Sequence, residues 1–451
     1  MKARPLAAGL AALGALAAAP EAGGLSQAEV APVLSPDRLD DLPDRAEPFA
    51  AAGDFAWRAF VALNWPALGG AAGRGVPDRG KTPGEDGARV WETFKSDAEL
   101  FPADADGRPV APSSWLSFDG RNPCGLDNRR RTVASFQPFA DFNQPSFAAG
   151  AAANPLVAQN REYVRYEVRF NEPEFTTIAA SGWAEGRNLP DAGHPAHFPA
   201  GSIAVKAAWR PLNEADAPQA RARYYVARAA IVDIARTLSE GHVVCATRDL
   251  ALVGLHIVIK TRSRPQWVWS TFEHVDNVPP AGDGAAREPD AKDAGAPYGF
   301  FDPQRPAKLF PPFGAPDTLP VDATNPPKLV PTPTQVVRRH PIDAAFMAAN
   351  RAYWALPGVR GTVWEHYMLV AAQWPTSRDP PGPDNDGAYF PGRPNALADE
   401  SYRSTAKAEE NLVNATMETY LQDEPSSCMS CHQAVSNARG DDFVGTLAGV
   451  Q

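Results

Sequence analysis

The spacing of apolar residues changes along the chain, and each spacing predicts a different element. Asp54 to Pro66 reads DFAWRAFVALNWP, with Phe55, Trp57, Phe60, Val61 and Leu63 apolar on several faces of a helical repeat. This predicts a buried helix capped by Asp54 and stopped by Pro66. A second short helix is expected over Ala88 to Leu100. Residues 101–160 read as mostly irregular, because Pro, Asn and Gly recur there. Near residue 200 the repeat drops to two. In Ser202–Arg210 the residues Ile203, Val205, Ala207 and Trp209 fall on one face, and Ala204, Lys206, Ala208 and Arg210 on the other. Arg223–Asp233, Leu250–Thr261 and Gln266–Asp276 continue as strands. The tight polar link Arg262–Pro265 between the last two favours antiparallel hairpins over parallel crossovers.

Pro279 to Pro341 carries no repeat and is dense in proline. A structureless stretch of that length is uncommon inside a compact domain. It reads as an insertion lying over the surface, partly ordered by Tyr298, Phe300, Phe301, Phe310 and Phe313. Residues 342–357 read as helical, and Trp364–Trp374 fits helix or strand equally. Ala406–Gln422 reads as a helix with Leu412, Val413, Met417 and Tyr420 near one stripe, leading into Cys428. The expected fold is α+β, an antiparallel sheet core flanked by helices and long Pro-rich loops. Its parts are a helical and irregular region at 23–200, the sheet region at 201–278, the insertion at 279–341 and a C-terminal helical region at 342–451.

Composition narrows the setting. A hydrophobic content of 44% with 11 Trp and 21 Phe describes a folded chain. The net charge of −10 argues against nucleic acid or an anionic membrane as partner. Lys2 and Arg4 precede an apolar run from Leu6 to Ala19, too short to span a bilayer. Residues 1–22 therefore read as a secretory signal, with an uncleaved anchor as the alternative. With the signal removed no transmembrane segment is expected, and the location is periplasmic or secreted. Of the four cysteines, Cys124 and Cys245 lie apart from the other two. In an oxidising compartment they are expected to pair, the alternative being two separately buried thiols.

The other two stand in SSCMSCHQAV. Cys428, Met429, Ser430, Cys431 and His432 form C-x-x-C-H, the attachment signature of a covalent haem c. Cys428 and Cys431 would become thioethers on the two vinyl groups, and His432 the axial iron ligand. A redox C-x-x-C or half of a zinc site are the rival readings. The zinc site would need further ligands in suitable spacing, and no second C-x-x-C exists. Only 19 residues follow His432, so upstream sequence must enclose the haem.

That order of parts carries a resemblance. Gly201 precedes Lys206-Ala207-Ala208-Trp209. His256-Ile257-Val258-Ile259-Lys260 is followed by Trp267-Val268-Trp269-Ser270-Thr271-Phe272. After C-x-x-C-H comes Asp442-Phe443-Val444. In these two short blocks the chain resembles the β-sheet mono-haem cytochromes, a group that includes lysine-cross-linked hydroxylamine-oxidising cytochromes and cytochrome c′-beta. More broadly it looks like large single-haem exported proteins of the cytochrome c family. It departs from the β-sheet group in its long sequence before the first strand and its insertion before the haem motif.

The resemblance implies that Lys206 contacts the haem, with small Ala204 and Ala208 beside it. The alternative is a lysine on an amphipathic strand that meets solvent. Met417 is a candidate sixth ligand, or core filler. His274 with Glu273 is a candidate acid–base group, or a polar strand end. The expected function is redox: oxidation or reduction of a small molecule at an open distal haem site. The partner would be a redox protein or a small-molecule electron donor or acceptor. The alternatives are a six-coordinate electron carrier and a haem-based gas-binding protein.

Overall fold

The computed structural model describes residues 32–43, 48–118, 122, 124–126, 156–191, 194, 196–214, 216, 218–264, 266–280, 297–304, 321–322, 328–329, 333–374, 414–419, 422, 428, 432, 442 and 444. The expected signal, Cys431, Phe310, Phe313 and residues 406–413 of the expected C-terminal helix lie outside the described residues.

The strands are β1 (Lys95–Ser96), β2 (Arg165–Phe170), β3 (Ile203–Pro211), β4 (Val226–Val232), β5 (Cys245–Ile259), β6 (Val268–His274), β7 (Val321–Asp322), β8 (Lys328–Leu329) and β9 (Tyr367–Gln373). Seven build one antiparallel sheet in the order β1-β2-β3-β5-β6-β9. The long strand β5 also takes β4, which pairs with its first half while β6 pairs with its second. β7 and β8 pair only with each other. The described helices are α1 (Pro48–Leu63), α2 (Asp97–Leu100), α3 (Glu172–Ser181), α4 (Pro218–Arg223), α5 (Ile234–Glu240) and α6 (Ala344–Trp354). The fold is thus α+β around an antiparallel sheet. None of these helices is long and apolar enough to cross a membrane.

Each face of the sheet is covered differently. On the first face β3 presents Val205, Ala207 and Trp209, all fully buried. Phe272 of β6 receives Phe60 of α1 in a stack at 4.3 Å and Trp57 edge-on at 5.3 Å. Trp57 also stacks on Tyr353 of α6 at 5.1 Å. A register shift between Thr271 and Phe272 interrupts pairing with β9. Buried Asn350 of α6 serves the exposed backbone there, accepting from Leu369 N–H at 2.8 Å and donating to Leu369 O at 3.0 Å.

The second face shows its register in cross-strand rows. Val168, Lys206, His256 and Thr271 form one row across β2, β3, β5 and β6. Phe170, Ala204, Val258 and Trp269 form the next. Tyr166, Ala208, Gly254 and Glu273 form a third on the other side of the Lys206 row. An apolar cluster with Leu156, Val253, Phe300, Val336 and Met417 covers this last row.

Several expectations need correction. α1 begins at Pro48, so Asp54 lies inside the helix. It pairs with Arg58 at 2.9 Å and accepts the Tyr353 hydroxyl at 2.7 Å. The helix expected over Ala88–Leu100 is instead a tight turn at Trp91–Thr93, then β1, then α2 with a Ser96–Glu99 capping box. β2 has no counterpart among the strands expected from sequence. Its Arg165, Glu167 and Arg169 look solvent-facing, yet all are buried. Glu167 pairs with Arg169 at 2.9 Å and accepts Trp209 Nε1–H at 2.8 Å. Trp364–Trp374 resolves into a short turn and β9. In the Ala406–Gln422 run, the described residues 414–419 form a turn rather than a continuous helix. Asn414 pins it to β6 by donating to Thr271 Oγ1 and Phe272 O, each at 2.9 Å.

The Pro-rich insertion does not lie wholly on the surface. Phe300 and Val336 are fully buried, and Val336 N–H donates to Phe300 O at 2.8 Å. Pro32–Gln451 folds as one compact unit. Residues assigned to the region before 201 supply α1, two strands and part of both covering layers.

Candidate functional site

The motif histidine rests on the second face. The His432 and Trp269 rings are 4.3 Å apart, tilted by 46°. Cys428 and His432 both adopt helical backbone. Cys428 is half-buried and packs against the main core, as does Val444. Trp269 ends the described row Phe170–Ala204–Val258–Trp269, so His432 rests at the β6 side of that row.

The chain beyond the motif is fastened to the same end of the sheet. Asp442, 2% exposed, places Oδ2 2.5 Å from Lys260 Nζ and accepts Phe198 N–H at 2.8 Å. Its backbone oxygen accepts Trp267 Nε1–H at 2.9 Å. Burial pushes the Asp442 carboxyl above its ordinary range, against the pull of Lys260. Trp267 and Asp442 both have positive φ, 70° and 55°. Non-glycine residues in that region mark backbone held by its surroundings.

A polar row adjoins the row that contains Trp269. Lys206, His256 and Thr271 lie one pleat repeat, about 7 Å, from the Ala204–Val258–Trp269 row. Glu418, 14% exposed, reaches into this row with Oε1 3.4 Å from His256 Nε2. Burial alone would raise its carboxyl. His256, the Asn414 N–H and Lys206 together hold it below its ordinary value. Lys206 is half-buried, its ammonium 5.5 Å from the Tyr166 ring centroid.

The other expected site residues are placed elsewhere. His274 and Glu273 are successive on β6 and face opposite sides of the sheet. His274 is fully buried and stacks on Tyr224 at 3.6 Å. Its Nδ1 accepts Asp276 N–H at 3.1 Å, and burial lowers its pKa to about 3. Glu273 is fully buried. It pairs with Arg338 at 2.6 Å and accepts Ala415 N–H at 2.7 Å. Met417 is fully buried in the apolar cluster over Gly254, four residues along β5 from Val258, or about 13 Å. The structure therefore places Lys206 and Glu273 on the same face as Trp269 and His274 on the other, and encloses Met417 in the apolar cluster. Cys124 and Cys245 are joined by a disulfide that fastens the start of β5.

The residues present fit a covalent haem c. The donors are thiol and imidazole, which form thioethers and an axial bond. The imidazole lies against the Trp269 ring, in a row whose other members, Phe170, Ala204 and Val258, are apolar. Among the described residues no group of three or more Asp, Glu, His or Cys side chains is placed to hold a metal ion.

Sequence reasoning did not find the Asp442–Lys260 pair or the approach of Glu418 to His256. Lys260 closes an apolar strand, and a lysine in such a place needs a partner when buried. Glu418 carries no such signal, because its partners come from strands far away in sequence. No protein-family model, characterised protein or solved structure matches this chain.

Proposed function

We propose that this is an exported protein carrying one haem c on Cys428 and Cys431, with His432 as axial ligand. It oxidises or reduces a small molecule on the open side of the haem. The observation that carries the reading is the C-x-x-C-H histidine set against Trp269, one pleat from a row of ionisable side chains. The Cys124–Cys245 disulfide supports an oxidising compartment, where haem c is attached. When bound, the haem supplies a one-electron centre with a coordination position for a ligand. Trp269 fixes the orientation of the His432 ring. The Asp442 clamp holds the chain beyond the motif. A redox protein or a small electron donor or acceptor completes the cycle. Met417, enclosed in the apolar cluster, favours an open position over a Met-ligated carrier.

The test is maturation in a host with haem c attachment machinery, followed by mass measurement and absorption spectroscopy. The expected result is a mass increased by one haem and a high-spin ferric spectrum. Carbon monoxide should shift the ferrous band. A colourless protein with the mass of the bare processed polypeptide overturns the reading. A low-spin spectrum unchanged by carbon monoxide leaves only the electron carrier. A strongly red-shifted ferrous band that disappears in Lys206→Ala would add a bond between that lysine and the haem.

A further inference from the structure

Next to the Trp269 row on the second face lies a row that carries two ionisable side chains, Lys206 and His256. His256 comes from β5, Lys206 from β3, and Glu418 from the turn pinned on β6 by Asn414. Thr271 of β6 is directly opposite His256 and carries no charge. Among the described residues, the charged or titratable groups facing His256 are thus Lys206 on one strand and Glu418 on the overlying turn. An imidazole beside an ionised carboxylate is suited to accept a proton, because the carboxylate stabilises the imidazolium that forms. His256 first, then the Asn414 N–H and Lys206, hold the Glu418 carboxyl below its ordinary value against its burial, so it faces the imidazole as a counter-charge.

We propose that His256 is the proton acceptor of the haem pocket, that Glu418 is its positioning and stabilising partner, and that the pocket takes small neutral acids of the X–H type. The X–H bond breaks, its proton goes to the imidazole, and the electron pair stays on X as the anion that binds. This inference rests on the haem reading above. It assigns the role that Glu273 and His274 do not fill, since Arg338 occupies one and the Tyr224 stack encloses the other. It also gives Lys206 a task that needs no covalent bond.

Hydrogen cyanide is a suitable probe, because it arrives as a neutral acid and binds ferric haem as an anion. Haem content is measured first, by mass and pyridine haemochrome. Absence of haem defeats the proposed function itself. In haem-loaded protein at pH 7, His256→Gln should slow cyanide binding by at least about 100-fold, the range for loss of a positioned base. The ferric spin state and haem content should not change. Glu418→Gln should slow binding less and move the acid limb of the rate–pH profile to lower pH. Equal cyanide rates in wild type and His256→Gln, or no cyanide binding to a haem that is present, would overturn the inference and leave haem attachment standing. A change of spin state in His256→Gln would make that residue an iron ligand and overturn it as well.

Discussion

The carboxylate of Asp442 lies 2.5 Å from the ammonium of Lys260, although 182 residues separate them in sequence. Both side chains are almost wholly buried, at 2% and 6% exposure. This pair joins the end of β5 to the chain beyond the haem motif. Trp267 completes the clamp through its indole N–H on the Asp442 carbonyl, and its ring lies 5.6 Å from the Lys260 ammonium. Asp442, beyond the C-x-x-C-H motif in sequence, is thus fastened to the sheet.

Breaking this pair should be costly, because the remaining charge stays buried without its counter-ion. Lys260→Met and Asp442→Leu should each destabilise by about 3–5 kcal/mol. The double variant should be less damaged than the sum of the two. Urea midpoints for the four proteins form the double-mutant cycle. Additive losses would show that the two charges are not coupled.

Gly254 should not tolerate alanine. Its added Cβ would collide with Thr416 Oγ1 and stand 3.3 Å from both Asn414 Oδ1 and Met417 Cε. The turn over β5 approaches this closely because the strand has no side chain there. Gly254→Ala should cost about 1–3 kcal/mol by overpacking. Adding Thr416→Ala should recover part of that loss in thermal unfolding. A single variant as stable as wild type would show that the turn shifts freely.

The disulfide closes a separation of 121 residues. Chain-entropy arguments put the effect of such a loop near 5 kcal/mol, and measured values commonly fall between about 2 and 5. Cys124→Ser with Cys245→Ser should lower the urea midpoint accordingly. Haem content should be unaffected, because the bridge fastens the start of β5 and His432 rests opposite its far end. Loss of haem with the bridge would contradict that separation.

The strands were legible where one face is apolar and the other is not. Ile203, Val205, Ala207 and Trp209 alternate with smaller or polar residues, and β3 follows that pattern. β2 was hidden because its buried face is charged: Glu167 and Arg169 neutralise one another under Trp209. α1 extends six residues before Asp54 because Ala50, Ala51 and Ala52 already pack in the core. The C-x-x-C-H motif is local and stands in the sequence itself. The contact of His432 with Trp269 could not be read there, since it joins residues far apart in sequence, and neither could the row beside Trp269, which strand register assembles.

His274 makes stability depend on acid in a defined direction. Burial is the main cause of its lowered pKa of about 3, followed by Asp276, which opposes it, and His366, which adds to it. In the unfolded chain a histidine titrates near 6.5. Between those two values the unfolded state binds a proton that the folded state does not. The contribution is therefore complete above about pH 6.5 and is lost as pH falls towards 3, by roughly 1.4 kcal/mol per pH unit. Wild-type urea stability should fall accordingly between pH 6.5 and 4.5. His274→Gln should start lower at pH 7, having lost the Tyr224 stack and the bond from Asp276 N–H. Its decline with acid should then be shallower by about one proton. Equal slopes in the two proteins would mean that His274 protonates in place, and that the enclosure by Tyr224 and Tyr367 opens before the fold does.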